Sequence, residues 1–365
     1  MKVAIVHEWI SARAGSELVF ERLARLWPQA DLFALSQDPS VRLELLGRRV
    51  RTSLLNAPAR SPLGRAVVLP LMPAAMRTLR QQDYDLVVSS SHAFSRAFGR
   101  PGDVHLSYTH TPLRFAWHSD VDGRGNGPIF APARAVLRTL DRRYARNTTS
   151  LACNSSYVAD RTYRAYGLDS VVIPPPCRTD YFASVPKDDP TPRISTVVEN
   201  GGYLLSIGRF VGYKRHDIAL DVAGALGLPV VVAGRGPLER EIRVHAERTP
   251  GASVVVSPTD EEVRWLYRSA AATIFGALED FGIVPVESLA AGTPVVALDD
   301  GGALDTVAPH VGVRAPSQAV DMMVAATEKL FADAPTPEAC QEWAGRFSAE
   351  AFDQQILRWA AQYVS

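Results

Sequence analysis

The chain has 365 residues, 39 basic and 39 acidic side chains, a hydrophobic fraction of 47% and a charged fraction of 21%. This composition excludes a largely disordered chain, and the balance of charge gives no electrostatic argument for nucleic-acid binding. At roughly 150 residues per domain, the length predicts two domains.

The first half of the chain alternates short apolar runs with helical patterns. The opening run at 2–6 is too short for a signal peptide and predicts a strand, followed by a helix at 15–27. Further strands are predicted at 86–89, 104–108, 151–154 and 171–173. Continuous apolar runs are typical of strands buried on both faces, so we expect a parallel sheet covered by helices.

Two basic segments lie in this half. Residues 41–80 contain eight arginines and one acid, a net charge of +7, around an apolar stretch with Pro70 and Pro73. Residues 131–147 predict an amphipathic helix rich in arginine. Basic side chains beside exposed apolar ones suit an anionic membrane surface, whereas a buried helical hairpin with solvated arginines is the alternative.

A proline triplet at 174–176 separates the two halves, because three prolines continue neither a sheet nor a helix. A second alternating series follows, with strands predicted at 203–207, 229–233, 253–256, 272–275 and 295–297. We therefore expect two Rossmann-like α/β/α domains facing a cleft, 1–175 and 176–345, with the C-terminal helix at 346–365 packing back on the first.

The cysteines and hydropathy indicate the compartment. Cys153, Cys177 and Cys340 form no CxxC pair, which argues against a disulfide framework or a zinc ribbon. No apolar run approaches the ~18 residues of a spanning helix. We expect a cytoplasmic protein that can bind peripherally to the inner face of the membrane.

The sharpest motif places Glu279 and Glu287 eight residues apart, with Asp-Phe-Gly between them. The run follows a predicted strand and opens a helix. The free amides of Gly282, Ile283 and Val284 would then face an anion at the helix N-terminus, while Glu287 can accept hydrogen bonds from ribose hydroxyls. The alternative is a helix whose two acids only complement its dipole.

A second motif follows the first strand of the second half. Arg209 and Lys214 lie on a strand-to-helix loop, where two cations can bind a diphosphate and stabilise it as it leaves. Gly234, in a Gly-Arg-Gly turn after the next strand, is a further candidate for ligand binding, although a tight turn alone explains it.

Together these motifs resemble the retaining GT-B glycosyltransferases of family 4, also called group 1, over nearly the whole chain. Gly15, followed by Ser-Glu, resembles the glycine loop of that family, with Ala14 in place of its first glycine. His110 lies where the family has an active-site histidine. The string HTPLRFAW at 110–117, with Asn-Ser-Ser at 154–156, resembles bacterial mannosyltransferases of surface-polysaccharide assembly.

The resemblance implies a role for each candidate. Arg209 and Lys214 would bind the donor diphosphate, Glu279 and His110 would contact the donor sugar, and Glu287 would bind the ribose. His7 and Glu8, at the end of the first strand, are acceptor-side candidates. The first domain would bind the acceptor and the second the nucleotide sugar. The implied partners are a nucleotide diphosphate sugar and a glycan or lipid-linked acceptor, with no nucleic acid.

The implied chemistry is metal-independent hexosyl transfer with retention, with mannose from GDP-mannose favoured and no cofactor. Two Asp-x-Asp strings, at 83–85 and 120–122, are the candidate metal ligands of the rival mechanism, and neither is assigned a metal. A two-Rossmann sugar-nucleotide epimerase and transfer from a UDP-sugar are the alternatives. A nicotinamide-binding protein lacks support because the first strand is not followed by G-x-G-x-x-G.

Overall fold

The structure, a computed structural model, describes residues 1–117, 131–186 and 188–364. It divides into two compact units, Met1–Pro176 with Phe352–Ser365, and Cys177–Ala351. The division follows Pro176, one residue from the boundary expected at the proline triplet. The final helix contributes its residues from Phe352 onward to the first unit, where Phe352, Ile356 and Trp359 are buried in the core.

The first unit is built on a seven-stranded parallel sheet in the order β3-β2-β1-β4-β5-β6-β7. The strands are β1 (Val3–Ile10), β2 (Asp31–Gln37), β3 (Val50–Thr52), β4 (Leu86–Ser91), β5 (His105–Thr109), β6 (Ser150–Cys153) and β7 (Val171–Val172). The helices are α1 (Gly15–Leu26), α2 (Pro62–Val68), α3 (Met72–Leu79), α4 (Arg114–Trp117), α5 (Ala131–Arg146) and α6 (Ser156–Tyr166). The order reverses beside β1, as in a Rossmann sheet.

The second unit has a six-stranded parallel sheet in the order β10-β9-β8-β11-β12-β13. Its strands are β8 (Tyr203–Arg209), β9 (Val230–Arg235), β10 (Ala252–Val256), β11 (Ala270–Phe275), β12 (Val295–Leu298) and β13 (Gly312–Ala315). Its helices are α7 (Thr179–Ala183), α8 (Pro192–Asn200), α9 (His216–Leu226), α10 (Glu239–Ala246), α11 (Asp260–Ser269), α12 (Ile283–Ala290), α13 (Ala303–Thr306), α14 (Val320–Ala332) and α15 (Pro337–Gly345); the final helix is α16 (Ala349–Ala360).

Two apolar layers cover each sheet, as the continuous apolar strands predict. In the first unit, alternate β1 residues Val3 and Ile5 face one cluster, while Ala4 and Val6 face the other. The predicted Rossmann-like sheets are thus confirmed, whereas the strands β2, β3 and β13 were missed. No helix in the described ranges is long and apolar enough to cross a membrane.

Candidate functional site

The second-unit cluster consists of Arg209, Lys214, Glu279 and Glu287. Arg209 ends β8, and Lys214 lies in the short 3-10 turn Gly212–Lys214 that follows. Glu279 follows β11, which is hydrogen-bonded to β8 in the sheet. Because neighbouring parallel strands end at the same edge, the two loops meet there, as the motifs predict.

Lys214 and Glu279 contact each other directly. The Lys214 Nζ forms an ion pair with Glu279 Oε1, and both side chains are largely shielded from solvent. The charge of one is therefore balanced by the other. An anion arriving at this loop would compete with Glu279 for the ammonium group, so the pair couples a cation that can hold phosphate to a carboxylate that can hold hydroxyls.

Glycines allow these loops to approach each other. A Cβ on Gly234 would lie 1.8 Å from the carbonyl oxygen of Gly208, so the β8–β9 contact explains this glycine without any ligand. Gly302 was not predicted as a site residue; its amide donates to the Glu279 carbonyl oxygen at 2.8 Å. A Cβ there would lie 2.1 Å from the Phe281 carbonyl oxygen. The Gly-Gly pair after β12 was the signal that could have identified it.

Helix α12 begins where the sequence predicts. Gly282, at its N-cap, has a φ of +86°, a conformation that favours glycine, and no side chain caps the helix. The amides of Ile283 and Val284 stand in the first turn, where a helix leaves its N–H groups without intrahelical partners. Such a turn suits an anion.

Glu287 is half-buried on α12, with burial raising its pKa to about 7, against opposing effects of Arg178 and Tyr267. The Tyr267 hydroxyl donates to Glu287 Oε2 at 3.3 Å. Arg178, which also forms an ion pair with Asp260 at 2.5 Å, was not recognised from the sequence because it lies far from the motif. The Glu287 carboxyl is therefore near its titration midpoint at neutral pH.

His216, which was not predicted as a site residue, contacts the end of β8 at Arg209. Its Nε2 lies 3.1 Å from the Arg209 carbonyl oxygen and its Nδ1 lies 2.8 Å from the Ser206 hydroxyl. Since the carbonyl can only accept, Nε2 carries the proton and Nδ1 accepts from Ser206. Burial lowers the pKa of His216, which keeps this neutral pairing.

The first-unit cluster consists of His7, Glu8, His92 and His110, at the carboxyl ends of β1, β4 and β5. Ser90 links two of the histidines: its hydroxyl lies 3.1 Å from His7 Nδ1 and 2.8 Å from His110 Nε2. Burial, together with the nearby His92 and His7, holds the pKa of His110 well below its usual value, so this ring is neutral. His92 was not a sequence candidate.

The glycine loop differs from the family pattern without strain. Helix α1 begins at Gly15, and Ala14 precedes it with φ −128° and ψ −172°, an extended conformation open to any residue. The buried Glu17 accepts from the Ser11 amide at 3.4 Å and from the Ser16 hydroxyl at 2.9 Å. These bonds hold the loop between β1 and α1.

The Asp-x-Asp string at 83–85 is engaged in the fold. The Lys2 amide donates to Asp85 Oδ2 at 2.6 Å, while Asp83 forms an ion pair with Arg100 at 3.0 Å. Both acids precede β4, at the opposite end of the sheet from the histidines. The string at 120–122 lies outside the described residues. Within the described ranges, no group of three or more His, Cys, Asp or Glu side chains could hold a metal ion.

The basic segment at 41–80 proves partly structural. Arg48 donates to carbonyls at the end of α1, among them those of Trp27 and Ala30 at 3.0 and 3.1 Å. Arg80 is buried in an ion pair with Asp103. The segment also exposes an apolar stripe on α2 and the turn after it: Leu63, Val67 and Leu71 are 77%, 70% and 57% exposed.

Comparison with known proteins gives two matching family models. The model described as Glycosyltransferase Family 4 matches residues 14–181, and the model described as Glycosyl transferases group 1 matches residues 188–346. Together they cover most of both units.

Two curated relatives are similar over part of their length. A D-inositol 3-phosphate glycosyltransferase of Nocardiopsis dassonvillei is 29% identical over 68% of this chain and 63% of the relative. An O-antigen chain mannosyltransferase C of Escherichia coli is 30% identical over 46% of each. The chain thus matches less than two thirds of these relatives' lengths.

Solved structures share the fold over nearly the entire chain. Anabaena Alr3699/HepE in complex with UDP and glucose has a TM-score of 0.70 at 16% identity, covering 98% of this chain and 99% of that one. A sucrose-phosphate synthase from Thermosynechococcus elongatus has a TM-score of 0.74 at 18% identity, covering 99% and 98%. At these identities the likeness concerns the fold alone.

Proposed function

Because the chain belongs to the family 4, group 1 glycosyltransferases of the GT-B class, we propose that it transfers a hexose from a nucleotide diphosphate sugar to a glycan or lipid-linked saccharide. We favour GDP-mannose as donor and a cell-envelope or exopolysaccharide product. The name of the E. coli relative supports mannose. The UDP complex of the Anabaena protein keeps a UDP-sugar as the alternative donor.

The observation that carries the proposal is the meeting of the Arg209 and Lys214 loop with Glu279 at one sheet edge. Two cations there can bind the donor diphosphate, and the first turn of α12 can supply amides to the same anion. Glu279 can then accept hydrogen bonds from hydroxyls of the donor sugar. Glu287 is proposed to bind the ribose and His110 to contact the donor sugar.

The proposed chemistry is retaining and needs no metal. Cleavage of the anomeric carbon–phosphate bond leaves the electron pair on the diphosphate, whose charge Arg209, Lys214 and the helix amides stabilise. The acceptor hydroxyl attacks the same face of the sugar and its proton passes to the leaving phosphate. Activity is expected to persist in EDTA, and a strict requirement for added Mn²⁺ or Mg²⁺ would contradict this mechanism.

The first test is a thermal-shift screen of GDP, UDP, ADP and TDP, because a ligand that binds the folded state raises its stability. Turnover of the matching nucleotide sugar is then compared between the native chain and Lys214→Ala. Loss of this cation should lower turnover tens- to thousands-fold, corresponding to ~2–4 kcal/mol. Arg248→Ala, an exposed cation outside the cluster, is the control. Unchanged turnover in Lys214→Ala would reject the assignment.

A sugar-nucleotide epimerase is the competing enzyme. Such an enzyme would convert or release the sugar without any acceptor, whereas a transferase makes a glycoside only when an acceptor is present. Product analysis with and without a saccharide acceptor separates the two.

We further propose that the enzyme works peripherally at the cytoplasmic membrane surface. The exposed stripe Leu63, Val67 and Leu71 lies within the basic segment 41–80. Arg80 of this segment is buried beside Asp103, but its arginines at 42, 49 and 77 are exposed, and exposed basic side chains beside apolar ones suit anionic lipid. Binding to anionic vesicles should weaken with salt and fall when Leu63, Val67 and Leu71 are replaced by Ser, but not in the exposed control Leu357→Ser. Equal binding to neutral and anionic vesicles would contradict an electrostatic contribution to membrane binding.

A further inference from the structure

Glu8 is a buried carboxylate that binds the turn after β4. It accepts from the Ser91 hydroxyl at 3.0 Å and from the amides of Ala93 and Ser95 at 3.0 and 2.8 Å. The His92 amide also donates to it, at 3.2 Å. Burial alone would raise the pKa of Glu8, but His92, His7 and the Ser95 hydrogen bonds lower it to about 2. The carboxylate is therefore ionised and fixed in place.

The His92 ring is oriented by this carboxylate. Its Nδ1 lies 3.3 Å from Glu8 Oε2, so the proton of a neutral imidazole is favoured on Nδ1, facing the charge. The ring packs edge-on against Trp9, with centroids 4.4 Å apart. Its orientation is thus determined by β1, while its backbone belongs to the turn after β4.

The His92 side chain is 17% exposed, and no described residue is hydrogen-bonded to its Nε2. His216 in the second unit differs, because both of its ring nitrogens have partners. The neighbouring His7 also has a buried Nε2 without a hydrogen-bond partner among the described residues. A histidine that is oriented through Nδ1, and whose Nε2 has no hydrogen-bond partner among the described residues, is suited to accept a hydrogen bond from a ligand.

The ring stays a neutral acceptor over the physiological range. Burial lowers the pKa of His92 to about 4; Glu8 and Glu17 raise it, whereas His7 and Arg114 lower it further. These groups come from β1, α1 and α4. His110, which follows β5, also faces the ring, with the two ring centroids 5.9 Å apart. An unprotonated Nε2 carries a lone pair, so it can accept a hydrogen bond from a sugar hydroxyl.

We propose that His92 is an acceptor-binding residue, whose Nε2 accepts a hydrogen bond from a hydroxyl of the acceptor saccharide adjacent to the attacking one, and that Glu8 is its positioning residue. This inference rests on the proposed transferase function. It adds His92, which the family motifs did not indicate, to the acceptor-side candidates. It also makes Glu8 a residue that orients His92 and does not itself contact the acceptor. His92 takes no proton in the reaction, since the attacking hydroxyl loses its own to the leaving phosphate.

The test uses His92→Asn, because the asparagine amide can still donate to Glu8 but lacks the outer nitrogen. Transfer from the donor identified by the thermal-shift screen is measured to octyl α-mannoside, octyl β-glucoside and octyl β-N-acetylglucosaminide, and donor hydrolysis by water is measured alongside. The expected result is an acceptor KM raised about tenfold, as for one lost hydrogen bond. Hydrolysis and the nucleoside diphosphate Kd should stay within about twofold. His245→Asn, a half-exposed histidine paired with Asp221 at 2.9 Å in the second unit, is the matched control.

Glu8→Gln should raise the acceptor KM in the same direction while the nucleoside diphosphate Kd stays unchanged. An unchanged acceptor KM in His92→Asn overturns the assignment, as does a parallel loss of hydrolysis and nucleotide binding, which would mean a donor-side or purely structural role. His92→Phe, which keeps the ring against Trp9, serves if the asparagine variant fails to fold. Absence of any turnover by the native chain would instead refute the proposed function itself.

Discussion

Glu287 makes nucleotide binding dependent on pH. Burial raises the pKa of this carboxyl to about 7, with Arg178 and Tyr267 opposing the shift. If Glu287 binds the ribose, its ionised form is the one that accepts two hydroxyl hydrogen bonds. Below the pKa, only a fraction of the molecules carries that form, and this fraction falls tenfold per pH unit. The nucleoside diphosphate Kd should therefore be about tenfold higher near pH 6 than near pH 8.

The raised pKa of Glu287 also makes the stability of the protein depend on pH. The Glu287 carboxyl binds its proton more tightly in the folded chain than in the unfolded chain, where its pKa has the ordinary value of 4.5. Its contribution to the free energy of unfolding is thus complete below about pH 4.5 and is lost as the pH rises through about 7. A nucleotide that prefers the ionised form then releases a proton as it binds near pH 7.

Calorimetric titration in two buffers with different ionisation enthalpies measures both the Kd and the proton release. Glu287→Gln is the control, because it removes the titrating group but keeps the size of the side chain. Its affinity should be weaker and its remaining pH dependence that of the nucleotide phosphates alone. Equal Kd values near pH 6 and pH 8 in the native chain, without proton release, would refute the ribose assignment.

Two further predictions concern a buried ion pair of the first unit and a glycine next to the Glu279 loop. Asp141→Ala should lower the free energy of unfolding by about 3–5 kcal/mol in a denaturant titration, because it leaves the fully buried Arg96, 2.7 Å from Asp141, without its carboxylate; a loss below about 1 kcal/mol would contradict this account. Gly302→Ala should reduce donor turnover and stability, because its Cβ would lie 2.1 Å from the Phe281 carbonyl oxygen, whereas Gly345→Ala meets no atom within 4 Å and should change neither. Native turnover in Gly302→Ala would show that the loop around Glu279 tolerates the shift.

Much of the fold follows from local pattern. The arginine-rich helix predicted at 131–147 is present as Ala131–Arg146, and the helix after the first strand is present as Gly15–Leu26. The start of α12 was predicted because the apolar run after Gly282 follows a strand and opens a helix, and the structure places the first helical residue at Ile283. Apolar runs and helix ends are properties of a few neighbouring residues, so the sequence by itself determined them.

The short strands were harder to predict. β3 and β13 have three and four residues, and β3 has no buried residue. Their strand conformation depends on pairing with β2 and β12, which supply the backbone hydrogen bonds. The net charge of the 41–80 segment can be read from the sequence. Only the folded chain shows that Arg48 donates to backbone carbonyls and that Arg80 is buried beside Asp103.

The contacts within both clusters depend on the tertiary structure alone. Glu8 and His92 meet because β1 pairs with β4, and Lys214 meets Glu279 because β8 pairs with β11. No local pattern specifies which strands become neighbours, since every buried parallel strand carries the same kind of apolar run. The sequence determined which chemical groups stand at the strand ends. The order of the strands determined which of these groups are in contact. The burial that results from the fold then determined which of them are charged.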